Sequence, residues 1–150
     1  MSRPALDPQT LAERCRDAML AGDRATKSLG MRILAVGPGT ATIAMTVRED
    51  MVNGHDICHG GLITTVADSA FAFACNAYNE VTVASGFDVN LLAAAKLGDE
   101  LTAVCTEIRR SGRTGVYDVM VRNQRGEAVA AFRGRSYTMK GKPILGPQES

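Results

Sequence analysis

Apolar positions along this chain follow two periods, and the change from one to the other marks its parts. Leu11, Cys15, Ala18 and Met19 recur at helical spacing behind Asp7-Pro8, an N-cap followed by proline at the first helical position, which predicts a short amphipathic helix from Pro8 to about Ala21. A further helical turn after Gly22 reaches Leu29 and stops at Gly30, and Met31 to Val36 and Thr40 to Val47 read as a hairpin around Pro38-Gly39. From His59 to about Tyr78, Leu62, Val66, Phe73 and Ala77, with Ile63, Ala67, Ala70 and Ala74 beside them, mark one long and mostly buried helix. The remainder is strand-like: Val81 to Leu92, Glu100 to Arg109, Arg113 to Arg122 and Glu127 to Met139, separated by AKLGD, RSG and NQRG. Such short connections favour antiparallel neighbours. The pattern predicts an α+β domain whose sheet wraps a single apolar helix.

Length and charge narrow the picture. The 150 residues suit one domain over 1–150, with a helical segment over 1–30 and a loosely ordered tail over 141–150. A chain of this size buries about 70% of its unfolded surface, enough for a core without metal or disulfides. Seventeen basic and sixteen acidic residues leave a net charge of +1, so no nucleic-acid or membrane-attracting surface is expected and any anion recognition must be local. Cys15, Cys58, Cys75 and Cys105 are widely spaced with no C-x-x-C, and no leader resembles a signal peptide, which points to a cytoplasmic protein with free thiols. Asp68, Asn76 and Asn79 interrupt the longest apolar run, so no membrane span is expected.

The segment NGHDICHGG, Asn53 to Gly61, carries most of the candidate chemistry. Its H-D-x-x-H spacing imitates a zinc motif, which needs both histidines on one face of a formed helix. Asn53-Gly54 is instead a turn signal, Gly60-Gly61 follow His59 directly, and the chain has no third histidine, so no metal is expected. Gly60 and Gly61 stand where the first N–H groups of the long helix lack intrahelical partners and the dipole favours negative charge; they equally suit a tight approach to the sheet. Asp68 is the odd residue of the helix, a carboxylate beside Val66, Ala67, Ala70 and Phe71, either functional or pointing outward through a polar stripe with Thr64 and Thr65. Cys58 beside His59 raises a thiolate nucleophile as another reading. IRRSGRTG gathers Arg109, Arg110 and Arg113 around a turn, either a solvated hairpin tip or an anion site, and Arg133 and Arg135 alternate along the last strand.

NGHDICHGGLITTVADSAFAFACN, with VAS and FRGRSYTM further on, resembles the hotdog-fold acyl-CoA thioesterases of the PaaI type, associated with phenylacetate degradation. The resemblance covers about Leu29 to Met139, and its specific part is N-G-x-x-x-C-H-G-G-x-x-x-x-x-A-D. It implies a curved antiparallel sheet around a central helix, and a homodimer paired into a homotetramer with sites at the dimer interface. It also implies a hydrolase that converts an aryl- or arylacetyl-CoA to the free acid and coenzyme A, with no cofactor beyond the coenzyme A of the substrate.

By this resemblance Asp68 is the catalytic base or nucleophile and the Gly60 amide the oxyanion donor. Asn53 is a second polar group near the carbonyl, and Ser85 a hydroxyl that helps hold the attacking water. His59 positions the start of the helix. Gly61 belongs to the substrate site, and Arg110, Ser111, Gly112, Arg113 and Thr114 lie along the coenzyme channel. Two alternatives use the same fold: hydration or dehydration of an acyl-CoA, against which the lone Asp68 argues, and a non-catalytic acyl-CoA binding module. Helix geometry adds a constraint. Eight residues separate Gly60 from Asp68 by about 12 Å in height and about 80° in azimuth, so both serve one carbonyl only if they come from different chains.

Overall fold

The computed structural model describes residues 4–147. Asp7 caps α1 (Pro8–Gly22) by accepting a bond from the Thr10 amide at 3.1 Å, and Asp23 caps the short α2 (Arg24–Ser28) in the same way. The chain then turns through Gly30, whose φ of 68° suits the residue past a helix end. Strands β1 (Arg32–Gly37) and β2 (Thr40–Thr46) form the expected hairpin, and a 3-10 turn leads to the long helix α3 (Gly60–Cys75). Strands β3 (Thr82–Leu91), β4 (Glu100–Ser111), β5 (Thr114–Arg122) and β6 (Ala128–Thr138) complete the expected α+β set.

All pairings are antiparallel, in the order β1-β2-β4-β5-β6-β3, which makes β3 an edge strand although it precedes β4 in sequence. The sheet wraps α3. Ile63, Val66, Ala67, Ala70, Phe71, Phe73 and Ala74 of the helix are buried against Ile43, Met45, Leu101, Ala103, Tyr117, Val119 and Phe132 of the strands. Alternation explains the strand contribution: β5 reads buried at every second residue from Gly115 to Val121. Gly134 of β6 lets the Phe71 ring lie on the sheet, since a Cβ there would meet three ring carbons at 2.9 Å.

Two expectations need correction. The helix ends at Cys75 rather than near Tyr78, because the Asn76 side chain leaves the helical pattern to bond the Thr82 amide and carbonyl, each at 2.9 Å. The tail is docked through residue 145: the Val81 amide bonds the Lys142 carbonyl, the Ile144 and Leu145 amides bond Asn79 Oδ1, and Leu145 is buried. Residues 148–150 lie outside the described residues. No helix among the described residues is long and apolar enough to cross a membrane.

Candidate active site

The loop before α3 is built around Asn53. Its Oδ1 accepts bonds from the amides of His55 (2.9 Å) and Ile57 (3.2 Å), an Asx arrangement that occupies the carbonyl and leaves the side-chain NH₂ as an exposed donor. Asp56 takes a positive φ of 57°, and bridges from Val52 to Cys58 and from Ile57 to Lys96 tie the loop to its surroundings. The His59 amide bonds the Met51 carbonyl at 2.9 Å, fixing the level at which the helix begins. His55 and His59 both precede the first helical residue, so they share no helical face, and the zinc spacing loses its geometric basis.

His59 is the N-cap of α3, yet its exposed side chain makes no capping bond and the first turn carries no acidic residue. The Gly60 and Gly61 amides have no partner among the described residues. This end of the helix therefore presents N–H groups and a dipole whose field no protein anion answers. Gly60 lies close against Leu91: a Cβ there would stand 2.4 Å from Leu91 Cδ1, so a larger residue would displace that exposed side chain. Beside it opens an apolar cavity of about 350 Å³, lined mainly by Ile57, Ile63, Leu91 and the small side chains of Ala93 to Ala95. Leu91 and the alanine run are site residues that sequence reasoning missed. The run of small apolar residues in LLAAAK was the available signal.

Asp68 is half-buried, and its carboxylate makes no hydrogen bond or ion pair among the described residues. Burial raises its pKa above the ordinary carboxylate value, because desolvation penalises the charged form with nothing to compensate. At 100° per residue it lies about 60° around the helix from Phe71 and about 80° from Gly60. Phe71 packs on Phe132, which stacks on Phe87 of β3, so this flank faces the β3 edge. Ser85 is the extra residue of a β-bulge in that edge, exposed, with its hydroxyl donating to the Arg135 carbonyl at 3.1 Å. Cys58 fits the thiolate reading poorly: it is buried, and burial pushes its thiol pKa up.

The arginine hairpin, Arg110 to Thr114, lies elsewhere. It joins β4 to β5 beside Tyr137 and Thr138, at the sheet end where α3 finishes, whereas Gly60 meets Leu91 at the opposite end. Ser111, Gly112, Arg113 and Thr114 are exposed there, with Gly112 at a φ of 61°. Arg133 and Arg135, two residues apart on β6, pair with Asp118 and Asp88 rather than standing free. Within one chain, then, the structure brings Asn53, His59, Gly60 and Gly61 together at the start of the helix, sets Asp68 on the flank toward β3, and puts the arginines at the far end.

Comparison with known proteins agrees with this architecture. The thioesterase superfamily model matches residues 55–130. The acyl-coenzyme A thioesterase PaaI of Escherichia coli K12 is 42% identical over 125 residues, covering 83% of this chain and 89% of that protein. The structure of E. coli PaaI, from the phenylacetic acid degradation operon, superposes with a TM-score of 0.88 at 38% identity, covering 91% of this chain and 99% of the other. A mutant form of the phenylacetic acid degradation protein PaaI from Thermus thermophilus gives a TM-score of 0.75 at 33% identity, covering 78% and 100%. The family match over half of the chain and these relatives, whose fold the structure shares, show that the chain belongs to the thioesterase superfamily, as a hotdog-fold acyl-CoA thioesterase of the PaaI type.

Proposed function

We propose that the protein hydrolyses aryl- or arylacetyl-CoA thioesters in the cytoplasm, with Asp68 of one protomer and the Gly60 amide of its partner acting on one carbonyl. The observation that carries this reading is the pairing of two unsatisfied groups: free amides at the start of α3 and a half-buried carboxylate without a partner. Each is costly unless something outside the chain completes it. The thioester carbonyl sits against the Gly60 amide and the Asn53 NH₂, which receive charge as the oxyanion develops. The acyl group enters the apolar cavity beside Leu91. Asp68 takes a proton from water, whose oxygen bonds to the carbonyl carbon; Ser85 helps hold that water. Collapse of the tetrahedral intermediate breaks the C–S bond, and the coenzyme A thiolate takes a proton as it leaves. Direct attack by the carboxylate, followed by hydrolysis of the anhydride, gives the same products. The reaction as drawn uses no metal or added cofactor.

The dimer follows from the β3 edge. Val83, Phe87 and Leu91 are 40–53% exposed along a strand with one unpaired side, which is a template for edge-to-edge association. Two-fold pairing there sets two α3 helices antiparallel and yields two composite sites. The same operation carries the arginine hairpin of one protomer toward the Gly60 end of the other, within reach of coenzyme phosphates. A second dyad pairs dimers into a tetramer. Thiol release from a panel of acyl-CoAs, measured for the wild type and Asp68→Asn with and without chelator, tests the reading. Release by the wild type alone, unaffected by chelator, is expected; equal release by both proteins removes Asp68 from the mechanism.

A further inference from the structure

At the end of the molecule away from Gly60, one carboxylate organises three separate stretches of chain. Glu107 Oε1 accepts bonds from the hydroxyls of Tyr78 and Tyr117, each at 2.9 Å. The Arg110 guanidinium carbon stands 3.4 Å from the centre of the Tyr78 ring, and its Nε is 3.8 Å from the same Oε1. A β-bulge between Glu107 and Arg109 shifts the alternation, so that Glu107 and Arg110, three residues apart, meet over Tyr78. Gly39, at a φ of 67°, closes the cluster from the first hairpin: a Cβ there would lie 2.8 Å from Glu107 Cβ and 2.9 Å from the Tyr78 hydroxyl. Burial and the Glu107 carboxylate push the Tyr78 pKa up to about 12, so its hydroxyl stays a donor at any working pH.

Apolar residues would fill this volume at lower cost than a carboxylate, two phenols and an arginine. What the polar set achieves is a fixed pose for Arg110. A guanidinium stacked on a ring and steered by a carboxylate has given up its rotamer freedom on folding, so capturing an anion costs it less. Arg110 keeps 40% of its side chain exposed, which leaves donors for a ligand. Arg109 and Arg113 carry no side-chain hydrogen bond or ion pair among the described residues and supply adjustable charge on either side. We propose that Tyr78 and Glu107 are positioning residues for coenzyme binding, presetting Arg110 as a phosphate ligand at the hairpin. The inference rests on the reading that this hairpin takes the phosphates of coenzyme A.

The test compares an acyl-CoA with the same acyl group on pantetheine, which lacks the phosphates. For Tyr78→Leu and Glu107→Gln, the acyl-CoA KM is expected to rise about tenfold, the worth of one charge-assisted contact, with kcat within about twofold. The acyl-pantetheine KM should not move, and Tyr78→Phe, which keeps the ring beneath the guanidinium, should retain most of the wild-type affinity. If the first two variants fold poorly, Arg110→Lys keeps the charge but loses the planar stack and should give the same split. Changes in kcat, or equal KM changes for both substrates, overturn the inference by reducing the cluster to packing. A wild type that discriminates, with variants that keep the full discrimination, overturns it alone. A wild type with equal KM for the two substrates overturns it together with the hairpin reading, while leaving Asp68 and Gly60 in place.

Discussion

The two ends of the central helix are finished in opposite ways. At the Cys75 end several polar groups are answered by the chain itself: Asn76 bonds the Ala72 and Thr82 carbonyls and the Thr82 amide, Asn79 caps the returning tail, and the two tyrosines converge on Glu107. At the Gly60 end the first amides are unanswered, the N-cap side chain is idle, and an apolar cavity stands open. Along one helix whose buried face is apolar throughout, the two ends differ in how completely the chain itself satisfies its polar groups. Leaving groups unsatisfied lowers stability, and the loss is tolerated where an incoming molecule restores the missing bonds.

Substitutions at each end should break this contrast in different measurements. The largest effect is expected for Asp68→Asn, which should lower kcat by about 10²–10⁴-fold, the usual range for losing a general base. Its unfolding temperature should rise at neutral pH. The sign follows from the raised pKa: between the ordinary value of 3.8 and the higher folded value, the native state holds the proton that the unfolded state has lost. Wild-type stability therefore falls as pH rises through that window, and the penalty is complete above it. The variant lacks this loss, so its advantage should vanish below pH 3.8. A thermal scan at several pH values checks both signs. Activity moves the other way, because the ionised form is the base; the acid limb of kcat/KM should lie above 3.8 and disappear in the variant's residual rate.

Next in size is removal of the Gly60 amide. Proline is favoured at the first helical position and the preceding His59 is extended with a ψ of 132°, so Gly60→Pro deletes the donor without opposing the helix. Leu91→Ala makes room for the ring. The double variant should lose about 10²–10³-fold in kcat relative to Leu91→Ala alone, with a similar unfolding temperature. An unchanged rate would move the oxyanion donor elsewhere. The smallest catalytic effect is expected at the finished end: Asn76→Ala leaves the Thr82 amide and carbonyl unsatisfied inside the fold, costing about 2–4 kcal/mol in urea unfolding while kcat stays near wild type. Fragmentation of the expected dimer sharpens the comparison further. Val83→Lys with Phe87→Lys on the exposed edge should yield monomers in sedimentation, with activity falling in step with the monomer fraction.

Much of this arrangement is legible in the sequence because its causes are local. Helix α3 follows from the spacing of Ile63, Val66, Ala67, Ala70 and Ala74, and Asp68 stands out as a charge inside that pattern. Gly60-Gly61 mark the start of the helix because they end a polar loop and precede the apolar repeat. Other features depend on contacts far apart in the chain. That β3 pairs with β6 and forms the edge is decided by which strand the curved sheet leaves exposed. Tyr78 and Arg110 are 32 residues apart, and nothing in either segment announces their stacking. The early helix end at Cys75 is hidden from periodicity because Ala77 continues the apolar spacing while a side-chain bond to Thr82 ends the helix.

The sequence by itself determined the elements, the fold family and the residues with no structural excuse, since propensity, periodicity and a specific motif act over a few turns of chain. The tertiary structure alone decided which ends and edges remain unsatisfied. Hydrogen-bond completion and burial are sums over neighbours that only folding assembles, so the free amides at Gly60, the lone carboxylate of Asp68 and the preset guanidinium of Arg110 become visible only once those neighbours are in place.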